Sequence, residues 1–404
     1  MSSEHASLPF SLGGVALFGV ALFGVALFGG GRWSRVLLPV IRGLLDESAT
    51  IVWVTEHGYD RAKIWLQEKG IKRVIVQSRL EQDVSEIGGV AINAAVVATS
   101  PAVHGGQVRR LLELGIPTFC EKPFTLDFDE AVQLEQLSAV KGCALGIDLE
   151  MHFASFVEDF AARISDRVIR EISIDWIDPW SETRYGETKH GDVYTGLVDD
   201  MWPHCWSLLR KLRPQRAVSA VTSIEEVRYQ PSSGQVYILV LFDDVIAKVV
   251  LSRRGGSRVR RVTVNVGEAI LDFSVEPGLT EIGGVALTNA WRGARPLSRS
   301  LSSFFEVALD PSRAANWALS ATACLDSVKS AQAIGNRLRS LQEPMLNDLR
   351  REGVELARDS DRNLIVDLLL PKYAALGHRW PAITKQEQLA FVKYVCETEK
   401  MHCH

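Results

Sequence analysis

The sequence predicts two domains of different class: an α/β domain with a doubly wound parallel sheet, then an α+β domain on a large, mostly antiparallel open sheet. Three observations carry this. Short apolar strands alternate with helical patterns over residues 23–147; the glycine-rich turn Gly29-Gly30-Gly31-Arg32-Trp33-Ser34 sits between the first strand and first helix; and Val- and Ile-rich runs follow one another from 217 to 274 with no helical pattern between them. At 404 residues, with 47% hydrophobic and 23% charged side chains, the chain can fill two cores.

The first element comes out of a tandem repeat. Gly14 to Phe28 repeats Gly-Val-Ala-Leu-Phe, inside an uncharged stretch, Leu12 to Gly31, whose length of about 20 residues matches a membrane span. Against a span, Glu4 precedes it with no Lys or Arg, no cleavage pattern is evident, and each internal glycine weakens a helix by about 1 kcal/mol. One copy suffices for a buried strand, so residues 1–22 are expected to be disordered or draped on the surface. Alternation then gives a helix over Val36–Leu45, strands at Ile51–Thr55, Arg73–Gln77, Ala95–Ala98, Gly115–Cys120 and Ala144–Ile147, and helices at Asp60–Lys69, Val103–Leu114 and Phe128–Val140. Right-handed crossovers make that a parallel sheet, with ligands beyond the carboxyl ends of its strands.

The second domain, 148–341, takes strands at 168–177, 217–228, 234–242, 246–253, 258–267 and 269–274 and closing helices at about 297–308 and 312–341. Residues 342–404 read as a helical extension punctuated by Pro344, Pro371 and Pro381, packing on the core or on a neighbouring subunit. A net charge of −4 gives no expectation of a nucleic-acid partner, and Arg253, Arg254, Arg258, Arg260 and Arg261 read as a solvated hairpin between two strands. Six scattered cysteines without a CxxC pair fit reduced thiols in a cytoplasm. The terminal Met-His-Cys-His is too short a ligand set for a structural ion, so no metal is expected.

Chemistry concentrates at the strand ends. Gly29-x-Gly31-x-x-Ser34 is a dinucleotide fingerprint with serine in the third position; it follows a strand and opens a helix whose N-terminal amides suit a pyrophosphate. Glu56, at the end of the second strand, suits the adenosine ribose and favours NAD, while Arg32 and Arg61 can pair with a 2′-phosphate and admit NADP. Glu121-Lys122-Pro123 ends an apolar strand beside that site. Lysine there can trade a proton with a substrate hydroxyl, and an X-Pro bond can become cis at modest cost. Asp200 and His204 share a face at i and i+4 if their segment is helical. Pro203 between them places the helix start near Asp200 or a kink there.

Val96-Val97-Ala98-Thr99-Ser100-Pro101-Ala102-Val103-His104, Glu121-Lys122-Pro123 and Gly196-Leu197-Val198-Asp199-Asp200-Met201-Trp202-Pro203-His204 together resemble the glucose-fructose oxidoreductase and myo-inositol dehydrogenase (Gfo/Idh/MocA) family, over roughly residues 24–341. The resemblance implies an N-terminal Rossmann domain, an NAD(P)-dependent hydride transfer on a small polar alcohol, ketone or imine, and a homo-oligomer, dimer or tetramer, joined through the second sheet. It implies that Lys122 and His204 move the proton with Asp200 beside them. Glu121 then supports the cofactor end, and Thr99, Ser100, Pro101 and His104 form the turn against the nicotinamide half, completing the contacts of Gly29, Gly31, Arg32, Trp33 and Glu56.

Departures are Ser207, where the family is often acidic, and Asp148-Leu149-Glu150-Met151-His152 in place of asparagine and arginine, which makes the pocket more acidic and puts His152 among the substrate contacts. Trp176, Trp180, Arg184, Tyr185 and His190 surround a loop suited to a substrate lid. Two other functions stay open: transient oxidation during glycoside hydrolysis, which returns its cofactor, and nucleotide sensing without catalysis.

Overall fold

The computed structural model describes residues 24–56, 58–78, 86–87, 90–179, 181–184, 187–190, 195–213, 220–359 and Leu376. The first two copies of the N-terminal repeat, Trp180, Tyr185 and the tail beyond Asp359, apart from Leu376, lie outside them.

Six strands form the first sheet: β1 (Gly24–Phe28), β2 (Thr50–Val54), β3 (Val74–Gln77), β4 (Ala94–Val97), β5 (Thr118–Glu121) and β6 (Leu145–Asp148). Their order is β3-β2-β1-β4-β5-β6 and every pairing is parallel. β1, β4, β5 and β6 are buried at every position, as a sheet covered on both faces requires. The order reverses between β1 and β4, so a crevice opens at their carboxyl ends. The covering helices are α1 (Arg32–Leu44), α2 (Tyr59–Lys69), α3 (Pro101–Glu113) and α4 (Phe128–Lys141). The last is capped by the Asp127 side chain, which accepts from the Glu130 N–H, and ends on a left-handed Gly142.

The chain then adds α5 (Ser155–Arg163), β7 (Glu171–Pro179) and α6 (Leu197–Leu212), with a short hairpin of Ser181–Arg184 and Glu187–His190 between β7 and α6. Next come β8 (Val221–Gln230), β9 (Gln235–Phe242), β10 (Val245–Gly255), β11 (Val259–Val264), β12 (Ala269–Asp272), β13 (Leu279–Ile282) and β14 (Val285–Thr288). With β7 these make an eight-stranded sheet of order β8-β9-β10-β7-β11-β12-β13-β14, antiparallel except where β7 joins β10. α7 (Pro296–Leu309) and α8 (Ala321–Asp359) close the fold.

The two domains share core. Phe304 of α7 stacks on Phe119 of β5 at 5.1 Å, and Trp317 packs 5.9 Å from the same ring. A Cβ on Gly146 would lie 2.0 Å from Trp317, so only glycine fits β6 beneath that indole. The Leu319 carbonyl takes the Ile147 N–H at 2.9 Å, adding a bridge to the edge of the first sheet. Helix α8 runs unbroken past residue 341, with Gln342 and Leu346 buried, so the expected division at 341/342 falls inside a packed helix.

The basic run is not a hairpin. β7 lies between β10 and β11, and Arg253 and Arg260 point inward at 4% and 3% exposure. Both are in phase with the buried Val249 and Leu251 of β10 or Val262 and Val264 of β11, the period of two that sends alternate side chains to the core. Their charge is met by acids: Asp200 for Arg253 and Asp178 for Arg260, as Glu276 meets Arg258.

Candidate functional site

A single cleft of ≈ 2960 Å³ runs from the glycine turn, past the carboxyl ends of β1, β4 and β5, to the inner wall of the second sheet. At its near end Gly29 has φ +124°, and a Cβ there would meet the Ala98 carbonyl oxygen at 2.3 Å, so the turn demands glycine. The Trp53 indole N–H donates to the Gly29 carbonyl. A Cβ on Gly31 would meet nothing within 4 Å, so its backbone stays open to the cleft, and the N-terminus of α1 carries no side-chain cap. A bare backbone at an uncapped helix N-terminus is what a pyrophosphate needs. Ser34, fully buried, fits the third fingerprint position because Gly29 leaves room: the missing Cβ would stand 2.8 Å from the serine oxygen. Arg32, Trp33, Glu56, Arg61, Thr99, Ser100 and Pro101 line the same end, and Glu56 is exposed to it.

In the middle stands the loop after β5, with the Lys122–Pro123 bond cis. The Trp33 indole N–H donates to Glu121, tying glycine turn to loop. Lys122 Nζ donates to Asp200 Oδ1 at 2.6 Å and to the Asp200 carbonyl at 3.1 Å, joining the first domain to α6. Burial works against the Lys122 ammonium, but the charge and hydrogen bond of Asp200, then Glu121 and Glu150, outweigh it and raise the lysine above its ordinary value. Asp200 in turn accepts from Arg253 at 3.0 Å, whose other nitrogen donates to the Thr195 carbonyl at 2.8 Å, just before α6 begins.

The far wall is a stack. The His204 imidazole lies on the Trp176 indole at 4.8 Å and 11°, and the Arg260 guanidinium carbon is 4.0 Å over the same ring. Asp200 and His204, both on α6, line the cleft with Lys122. The helix begins at Leu197, earlier than Pro203 suggested, and continues past the proline to Leu212.

Two expectations, His104 and His152, are corrected. His104 is buried and does not line the cleft: its ring nitrogens face the Pro123 carbonyl at 2.9 Å and the Thr99 carbonyl at 3.1 Å, so it braces two loops from below, and burial lowers its pKa. Trp176 lies within the expected strand at 168–177, now β7, and lines the cleft from there instead of from the loop that follows. His152 faces away from the cleft, edge-on to Phe153 at 5.5 Å. The 3-10 turn Glu150–Phe153 turns Glu150 and Met151, not His152, toward the ligand space. Arg184 ends a hairpin strand, and its side chain, with Trp180 and Tyr185, lies outside the described residues.

Burial, then Lys211 and Arg210, push the His152 pKa down to about 3. A histidine depressed on folding stabilises above its unfolded value near 6.5 and loses that stability as pH falls toward about 3. His152→Phe is therefore expected to flatten the fall of the unfolding free energy, read from urea titrations, between those limits, by about a few kcal/mol at the acid end. An unchanged slope would remove His152 as its source.

Sequence reasoning missed the placing of Arg253, Arg260 and Ser300, and put Asp148 in the pocket without a partner. The arginines announced themselves by period-two phase with apolar neighbours; Ser300 reaches the site only through the docking of α7, which no local pattern shows.

Comparison with known proteins agrees with this fold. Residues 23–149 match the model of the Gfo/Idh/MocA oxidoreductase family, NAD-binding Rossmann fold. A myo-inositol dehydrogenase, Hyg17 of Streptomyces leeuwenhoekii, is 28% identical over 144 residues, which span 34% of this chain and 42% of that relative. A Gfo/Idh/MocA family oxidoreductase from Vibrio cholerae superposes with TM-score 0.60 at 16% identity, covering 80% of this chain and 99% of that one. A lysine-to-alanine mutant of KijD10, a 3-ketoreductase from Actinomadura kijaniata solved with TDP-benzene and NADP, gives 0.60 at 14% identity, covering 77% and 96%. Among the described residues no helix is long and apolar enough to cross a membrane.

Proposed function

We propose that this chain, whose N-terminal domain is the NAD-binding Rossmann domain of the Gfo/Idh/MocA oxidoreductases, works as an NAD(P)-dependent reductase of a small polar ketone or imine, with Lys122 as the proton donor. The observation that carries it is the Lys122–Asp200 contact of 2.6 Å, which sets an ammonium in the cleft between the dinucleotide turn and the His204–Trp176 wall.

Gly29, Gly31 and the α1 amides hold the pyrophosphate, and Glu56 takes the ribose hydroxyls. A bound reduced nicotinamide supplies the hydride. Because Asp200 keeps Lys122 protonated, the lysine is an acid, giving a proton to the oxygen or nitrogen that gains negative charge. His204, on the same helix as Asp200, is the second proton-handling group, and Trp176 fixes the plane of its ring.

The test is a panel of polar ketones and imines mixed with NADH or NADPH. Net cofactor oxidation, faster with NADH because of Glu56, is expected. Substrate turnover with no net cofactor change would favour glycoside hydrolysis, and binding without turnover a sensor.

We further infer self-association through the outer face of the second sheet, where Tyr237, Leu239, Leu241 and Val250 stand half-buried beside Ile246 at 44% exposure. Sedimentation of the full chain should show a dimer or tetramer; a monomer at all concentrations rules this out.

A further inference from the structure

We propose that Asp148 is a positioning residue for Lys122: it shares one proton with Glu121, so that the two carboxyl groups beside the lysine present a single negative charge. Glu121 and Asp148 are register partners at the ends of the parallel strands β5 and β6, both are buried and both line the cleft, so the two carboxyl groups lie on the same side of adjacent strands. Two neighbouring carboxylates away from water repel each other, and neither has a hydrogen to give the other. One proton held between them removes the repulsion and lets one acid donate to the other.

The remaining partners fix where it goes. Glu121 accepts from the Trp33 indole N–H, and Asp148 Oδ1 accepts from the Ser300 hydroxyl at 2.7 Å. With the proton on Asp148, that acid donates to Glu121 and every hydrogen has an acceptor. Exposures of 7% and 3% leave little water to support a second charge. Burial raises both groups, and Glu121 raises Asp148 further. The other charged or titratable groups facing the pair are Lys122 from the same loop, Glu150 from the 3-10 turn and the thiol of Cys120, itself pushed up by burial and by both carboxyls. Only Lys122 among them is cationic, and Asp200 already claims it at 2.6 Å.

The consequence concerns proton donation. A dyad with one charge holds the Lys122 ammonium less tightly than a dianion does, which leaves the lysine a better acid. This step rests on Lys122 being the proton donor; the proton inventory does not.

Two measurements separate them. Infrared spectra of the full chain at pH 7, without cofactor, should show the carbonyl stretch of a protonated carboxyl, moved by carboxyl-13C aspartate labelling and lost in Asp148→Asn. Labelling assigns the band to an aspartate, and its loss in Asp148→Asn assigns it to this one. No label-sensitive band in the unaltered protein overturns the proposal, whatever Lys122→Ala does. The second is the pH profile of turnover. The unaltered protein should lose activity on the alkaline side as the second proton leaves. Asp148→Asn, whose amide donates to Glu121 at every pH, should lose that decline, while Asp148→Leu should not match it. An identical alkaline limb in Asp148→Asn overturns the link to Lys122.

Discussion

Lys122→Ala is expected to cut turnover by about 10²- to 10⁴-fold, the range that positioned acid-base help contributes. The loss should fall on chemistry, not on folding. Asp200 keeps its 3.0 Å partner Arg253 when the lysine goes, so no carboxylate is left without a cation. The glycine turn and the Trp33–Glu121 bond are untouched, so the dissociation constant for NADH should move little. Arginine at this position should not restore the rate, because guanidinium stays charged at any working pH and is a poor proton donor. Single-turnover rates alongside nicotinamide binding by fluorescence are the measurement. Near-normal turnover would show that some other group, His204 first, supplies the proton.

Much of this arrangement could be read from the chain. Strand and helix alternate visibly before residue 148, because a parallel strand buried on both faces is a short apolar run and its crossover helix has a different period. Lys122, Asp200 and His204 were legible because their types and spacing carry chemistry, and the structure lines all three along one cleft. β13 and β14 were not, since four-residue strands such as Leu279–Ile282 hold too little pattern, although Gly283-Gly284 between them, with φ of +58° and +80°, is a hairpin signal. His152 was misplaced because a 3-10 turn changes which of three successive side chains faces the cleft. The arginine run was misread because charge suggests solvent until the sheet order shows β7 between its two halves.

That buried run carries the other large effect. Arg260→Met is expected to cost about 3–5 kcal/mol of stability, the usual penalty for stranding one member of a buried ion pair. The guanidinium binds Asp178 and donates to the Ile177 and Val259 carbonyls at 2.8 Å each, and burial pulls its pKa down to about 10, still cationic at neutral pH. Asp178, 14% exposed, would lose that partner. Lysine should recover little, since one ammonium cannot reproduce a fork reaching a carboxylate and two carbonyls. Pairing Arg260→Met with Asp178→Leu should regain much of the loss, because an apolar pair of similar volume is often no worse than a buried ion pair. The double variant keeps the fold yet takes the cation from the face of Trp176, the ring on which His204 rests. If the chain is the proposed reductase, its KM for a ketone or imine should therefore rise even where stability returns. Urea unfolding of the single and double variants, with KM and kcat for the double, decides it: a single variant as stable as the parent, or a double no better than the single, would mean that the ion pair does not hold this wall.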